Sequence, residues 1–374
     1  MKTRIRSYII LCFLLLLPLP VLAIEVSQGQ EMVEEMDFYE IEQVLDDFFA
    51  EENVYFETLV MDFISGDTMD FKDFLGRCLS LAADEMGQWR NEIAAILILA
   101  ISAAIFYVLS DVFDKHGIAD ISFLVMYLLF CMLILRSFDR MSQTACEVVL
   151  NVCEFMKALL PAYFLSITVT GASSTASVFY PFILGVIEIV VTGIQQIILP
   201  MIEVYLLLSM MNCVGKEEFI TKLVELLGNG IQWLLKTFLA VVCGFQLIQG
   251  MITPMVDSFK NTTLSKTVSA IPGFGNTAGA VADMFVGSAL LVKNGIGVAA
   301  MIILIFICAA PLIELGVCTF LYKVIAAFIQ PVSDKRMTAC VDSASKASAL
   351  LLRTCTITMM MFMLSIGIIG MAVK

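Results

Sequence analysis

The chain has 374 residues, 60% of them hydrophobic and 15% charged, with a mean hydropathy of +0.92. Soluble domains average about 45–50% apolar and about 25% charged, so the composition excludes an ordinary soluble enzyme and makes length a count of membrane crossings, each needing roughly 20 mostly apolar residues. The net charge of -13 belongs to one segment, since Ile24–Glu92 holds 19 acidic and three basic residues while the chain from Ile93 onward carries 16 of each sign; without clustered Lys and Arg, nucleic acid is excluded as a partner.

Residues 1–23 have the pattern of a signal peptide. Lys2, Arg4 and Arg6 form a basic start, Tyr8–Leu17 is an apolar run, and Pro18 and Pro20 precede the small-residue end at Ala23. An uncleaved anchor helix is the competing reading, but ten apolar residues are short for a span.

The acidic segment, residues 24–92, contains three amphipathic patterns. Ile41, Val44, Leu45, Phe48 and Phe49 follow the spacing of one buried helix face. Phe56, Leu59, Val60 and Phe63 repeat it, as do Phe71, Phe74, Leu75, Cys78, Leu79 and Ala82. Gly66 and Asp67 or Thr68 supply a stop and a start between the last two. A segment this small makes only a small core, which leaves aromatic surface for a partner or the membrane to cover.

Residues 93–374 read as an all-α polytopic membrane domain. The apolar runs are Ile93–Leu109, Ile118–Leu135, Phe179–Leu199, Pro200–Val214, Phe238–Val256, Ile296–Ile313, Leu315–Ile329 and Thr354–Val373, with Ala158–Val169 uncertain. That predicts about seven or eight transmembrane helices, because a lipid-exposed backbone must satisfy its own hydrogen bonds. Basic residues are spread among the connections without the alternation that would orient the chain.

Two connecting stretches carry polar stripes at helical spacing: Glu218, Lys222, Glu225, Asn229, Gln232 and Lys236, then Lys335, Thr338, Asp342, Lys346, Ala349 and Arg353. Each predicts an amphipathic helix at the membrane surface or against a partner helix. Glu188, Glu203, Glu314 and Lys323 interrupt apolar runs, where an ionisable group is costly. Such a residue either lines an aqueous path or sits at a helix end among lipid headgroups. The stretch Thr253–Gly297, rich in Gly and Pro and holding Asp257 and Lys293, predicts a helical hairpin or re-entrant element. These six ionisable residues are the candidate functional positions.

Catalytic chemistry finds little support. His116 is the single histidine and no CxxC pair occurs among the 11 cysteines, so zinc sites built on two or three His are excluded. Gly273-Phe274-Gly275 is followed by no Lys-Ser or Lys-Thr and fails the phosphate-loop pattern. No catalytic residue, cofactor or metal is expected.

Certain blocks are recognisable in order and spacing. They are Leu159-Leu160-Pro161-Ala162-Tyr163-Phe164, Thr170-Gly171-Ala172, Phe179-Tyr180-Pro181, Ile248-Gln249-Gly250-Met251 and Asp257-Ser258. Ala270-Ile271-Pro272-Gly273, Leu291-Val292-Lys293-Asn294 and Gln330-Pro331-Val332-Ser333-Asp334-Lys335-Arg336 follow. From about Leu159 to the C-terminus the chain resembles the stage III sporulation protein AE family. The resemblance implies a non-enzymatic component of a channel or secretion-like complex in the mother-cell membrane around the forespore, supporting late forespore gene expression. It implies other stage III sporulation proteins as partners and, across the intermembrane space, stage II sporulation protein Q, with the acidic segment extracytoplasmic. A secondary transporter with a polar midplane site is the alternative that the buried ionisable residues raise, and a scaffold without a pore is the third.

Overall fold

The computed structural model describes residues 23–48, 55–65, 118–214, 220–269, 275–331 and 335–372, with isolated helical positions between 94 and 105. Side chains are described within these ranges except at 23–28, 118–123, 174 and 252–284. The signal peptide through Leu22, the helix read at Phe71–Ala82, the His116 turn and nearly all of the run Ile93–Leu109 lie outside the described residues.

The described residues form helix and no strand. In chain order the helices are α1 (Ala23–Glu34), α2 (Tyr39–Phe48), α3 (Phe56–Ser65), α4 (Ile118–Val169), α5 (Ser173–Gly193), a π-helical turn (Ile194–Ile198), α6 (Leu199–Val214), α7 (Thr221–Ser269), α8 (Gly275–Ile329) and α9 (Lys335–Ala372). Five stretches among them are long and apolar enough to cross a membrane: Leu124–Val169, Thr175–Val214, Thr221–Met251, Phe285–Ile329 and Lys335–Ala372.

The difference from the expected span count has a local cause, because apolar runs that read as separate spans are joined. Ile118–Leu135 and Ala158–Val169 are the two ends of α4, and Ile296–Ile313 and Leu315–Ile329 are both in α8. Pro200 looked like a break between two further runs. It lacks an N–H and its ring crowds the carbonyl four residues back, and the π-helical turn just before it absorbs that conflict. There the Leu199 N–H reaches the Ile194 carbonyl, a wider i→i+5 closure, so α5 and α6 continue as one rod. The polar stripes at Lys222–Lys236 and Lys335–Arg353 are likewise the first turns of α7 and α9.

At the α4–α5 turn the chain reverses at Gly171, whose φ of 86° is the one positive value among the described residues. Its N–H bonds the Thr168 carbonyl at 3.0 Å, so α4 ends in a left-handed cap that favours glycine. From there α5–α6 run antiparallel to α4: Tyr127 Oη donates to the Met210 carbonyl at 2.8 Å and Phe164 meets the Tyr180 ring edge-on. α8 is also antiparallel to α4, with Tyr322 Oη donating to Ser137 Oγ at 2.7 Å.

Helix α9 is the hub, packing on α8 most extensively and also on α7, α4 and α6. Small residues let it approach α8. Ala344, Ser345, Ala347 and Ser348 are buried, Thr319 Oγ1 donates to Ser348 Oγ at 3.1 Å, and Ser345 Oγ donates to the Thr319 carbonyl at 3.2 Å. In an apolar bundle, where burial against lipid offers little gain, such close packing and interhelical hydrogen bonds hold helices together.

The acidic segment does not stand apart from this bundle. α1 and α3 pack on α8, and α2 packs on α4. The apolar faces predicted from spacing are largely the ones that dock: Ile41, Leu45, Phe56 and Val60 are buried, Phe63 is half-buried and the unpredicted Ile64 is buried beside it, and Phe38 meets Phe56 at 5.3 Å between ring centroids. Glycine makes room for them on α8, since a Cβ on Gly295 would lie 3.3 Å from both Ile64 Cγ1 and Val60 Cγ1. The surface expected to need a partner or membrane is covered, in this part, by the chain's own α4 and α8.

Candidate functional site

Polar groups gather where α9 ends, and several of the recognisable sequence blocks meet there. Lys293 of α8 is 2% exposed, and its ammonium donates to the Gly370 carbonyl at 2.8 Å. The last carbonyls of a helix have no partner within it and carry the negative end of its dipole. A buried lysine therefore finds there an acceptor and a favourable field. Tyr163 Oη donates to the Ile366 carbonyl at 3.3 Å, one turn earlier. Gln246 of α7 donates through Nε2 to Ser365 Oγ at 2.8 Å.

Glycines close this cluster. A Cβ on Gly297 would meet Tyr163 Oη at 3.4 Å, and one on Gly250 would meet Ile368 Cγ2 at 3.4 Å. Three helices, α4, α7 and α8, thus converge on the end of α9, and Gly295 places the acidic helices half a turn from Lys293. Sequence reading found Lys293 through its charge but gave no role to Tyr163. An isolated hydroxyl inside an apolar block was the signal available, since a buried Tyr O–H usually finds a partner.

The other candidate positions do not join this cluster. Glu203 of α6 accepts from Ser142 Oγ at 2.9 Å, and Glu314 of α8 accepts from Thr144 Oγ1 at 3.5 Å. The two carboxylates therefore flank one turn of α4 from opposite sides. Glu188 is exposed on α5, close enough to Cys153 of α4 to act on it electrostatically, as Lys157 does. Lys323 is exposed on α8. Asp257 lies on α7 with its side chain outside the described set. The six are distributed along the bundle and form no single pocket.

A separate cavity of about 370 Å³ opens between α6, α7 and α9 at the end of the bundle away from the acidic helices. Among the described residues no group of three or more His, Cys, Asp or Glu is arranged to hold a metal ion, and the cysteines described are free thiols. The geometry suits a rod-like membrane bundle with one plugged helix end.

Comparison with known proteins agrees with the sequence blocks. The chain is 27% identical over 312 residues to Stage III sporulation protein AE of Bacillus subtilis (strain 168), an alignment covering 83% of this chain and 78% of that protein. No solved structure matches the chain. A family model described as Stage III sporulation protein AE matches residues 54–372, a region that begins within the acidic segment, after α2, and includes α4–α9, and the chain belongs to that family.

Proposed function

We propose that this protein is a non-enzymatic integral membrane component of the mother-cell/forespore channel complex, required for late forespore gene expression. The family assignment over residues 54–372 carries the proposal: it is a sporulation family rather than an enzyme family. The partners proposed are other stage III sporulation proteins and, across the intermembrane space, stage II sporulation protein Q.

The fold supports one orientation in the mother-cell membrane. Antiparallel packing puts the α6–α7 and α8–α9 connections at one end, where Lys222, Lys335 and Arg336 lie. The acidic helices dock near the other end, beside Gly295. Basic residues favour the cytoplasmic side, so α1–α3 face the intermembrane space. The fusion of short runs into long helices explains why the basic residues looked scattered: Arg136 and Arg140 are within α4 and not in a connection.

Deleting the coding sequence in its spore-forming host tests the role. Engulfment should finish, late forespore transcription should fail and heat-resistant spores should be lost. A deletion strain with normal late transcription and resistant spores would overturn the proposal. Cysteines introduced by Glu57→Cys and Lys335→Cys test the orientation, with an impermeant maleimide expected to label only the first from outside.

A further inference from the structure

The two polar stripes have a destination that the family assignment does not explain. Tyr205 and Ser209 of α6, Glu225 and Gln232 of α7, and Asp342 and Lys346 of α9 line one cavity of about 370 Å³. That volume falls within the range of small-ligand sites, roughly 300–1,000 Å³. Three helices each turn a polar face to the same space.

The wall holds an unanswered donor. Ser209 is 4% exposed, and its hydroxyl has no hydrogen-bond partner among the described residues. A buried hydroxyl left unpaired is costly, and this one lines the cavity. The lining carries charges of both signs. Lys346 Nζ lies 2.8 Å from Asp342 Oδ2, and Glu225 Oε2 is met at 3.0 Å by Lys222 Nζ from outside the lining. All four side chains are at least half exposed, so an incoming group can share them. A purely anionic ligand would meet the two carboxylates and a purely cationic one the two ammoniums. A ligand carrying a positive and a negative group suits both pairs.

The same helices expose apolar residues. Leu207 and Met211 of α6 and Leu223, Leu226 and Trp233 of α7 are exposed. Beyond them α7 becomes apolar and exposes Val241, Phe245 and Ile248. An exposed tryptophan between a polar turn and an apolar run is the pattern of the membrane–water interface. The site thus has a polar chamber at interfacial depth, on a helix that becomes apolar and exposed beyond it.

We propose that this cavity binds the head group of an amine-bearing zwitterionic phospholipid, with its acyl chains along α7. The ammonium donates to Glu225 and Asp342. The phosphate accepts from Lys346 and from the Gln232 amide, and the Ser209 hydroxyl donates to a phosphate or ester oxygen. Phosphatidylcholine has the same net charge but no ammonium N–H, and phosphatidylglycerol has no amine.

Full-length protein in nanodiscs of equal parts phosphatidylethanolamine, phosphatidylcholine and phosphatidylglycerol, re-extracted in detergent, tests this by mass spectrometry of the retained lipid. Phosphatidylethanolamine should be retained over the other two by roughly tenfold, the value of one hydrogen bond to a charged group. Glu225→Gln with Asp342→Asn should remove the preference over phosphatidylcholine while the protein stays monodisperse. Ser209→Val should weaken retention of phosphatidylethanolamine several-fold. Equal retention of the three lipids, preference for phosphatidylglycerol, or a preference untouched by the substitutions would each overturn the proposal. Binding of soluble phosphoethanolamine as tightly as the lipid would assign the site to a free solute and overturn it as well.

Discussion

Gly295→Leu should loosen the acidic helices from the bundle while leaving the bundle intact. The first added carbon alone would sit 3.3 Å from Ile64 Cγ1 and from Val60 Cγ1, closer than ordinary van der Waals contact. Those two side chains are buried in the shared apolar core, so they have little room to retreat from three further carbons. Overpacking of this kind costs about 1–3 kcal/mol, which shifts a docking equilibrium by roughly 5- to 150-fold. The rest of Gly295's helix meets α4 and α9 through other faces, so the cost falls on docking.

Hydrogen exchange of the full-length protein in nanodiscs reads this directly. Amides of 56–65 should exchange faster in Gly295→Leu by that factor, because local opening governs exchange in such units, while amides of 354–372 in α9 keep their protection. Ile64→Ala alone should also speed exchange in α3 through lost burial. Combined with Gly295→Leu it should cost less than the sum of the two, since the smaller side chain vacates the space the leucine needs. Unchanged protection of 56–65 in Gly295→Leu, or equal loosening of α9, would refute the docked arrangement.

Protonation should strengthen the same contact. Burial holds the Glu42 carboxyl above the ordinary carboxylate range, with Asp46 and Glu57 adding repulsion against hydrogen bonds from the Glu57 and Phe56 backbone. A group with a raised folded pKa stabilises below its unfolded value and loses that contribution as pH rises through the raised one. Protection of 39–65 should therefore fall with rising pH across that window, and Glu42→Gln should flatten the dependence when exchange rates are corrected for pH. Lys293→Met should lower thermal stability by about 1.5–3 kcal/mol, because the Gly370 carbonyl loses a charge-assisted bond, and a melting curve matching wild type would count against that role. A cysteine from Glu188→Cys should react with a water-soluble maleimide faster than one from Val178→Cys, also exposed on α5; equal rates would place Glu188 against lipid.

Periodicity made part of this architecture readable. The spacing of Ile41, Leu45, Phe56 and Val60 selects the faces that are in fact buried, because an apolar stripe on a short helix must be covered by something. It could not name the cover, since a stripe carries no information about its partner, and the glycine gap at Gly295 makes sense only with Val60 and Ile64 beside it. α1 went unseen because Ala23–Glu34 mixes Gln, Glu, Ser and Gly with few apolar residues, and tertiary contact with α8 decides its state. Helix continuity was hidden for a related reason. Charged turns such as Arg136–Arg140 look like ends of spans, and Pro200 looks like a break, until neighbouring helices and a π-helical turn satisfy them. The polar cluster at the end of α9 draws on α4, α7 and α8, so no window of sequence could show it.

The long helices also divide the ionisable residues by depth. α8 has 55 residues, about 80 Å at 1.5 Å per residue, against roughly 30 Å of hydrocarbon. A slab can therefore cover less than half of it, and the position of the slab matters. Glu203 and Glu314 meet α4 at Ser142 and Thr144, and Cys355 Sγ reaches the Ala145 carbonyl, which puts Arg353 at the same height. From Thr354 to Ala372 α9 carries no charge and spans about 28 Å. A hydrocarbon slab fitted to that stretch leaves Glu203, Glu314 and Arg353 at its edge, where headgroups solvate them, and the α6–α7–α9 cavity just beyond it. Glu188 falls elsewhere. It acts on Cys153, about 15 Å further along α4, near the middle of the slab, with Glu154 and Lys157 exposed on the same stretch of α4. Three exposed charges at that depth are costly against lipid, and together they make the α4–α5 face, rather than the ring at Glu203 and Glu314, the surface of this bundle that calls for water or protein inside the membrane.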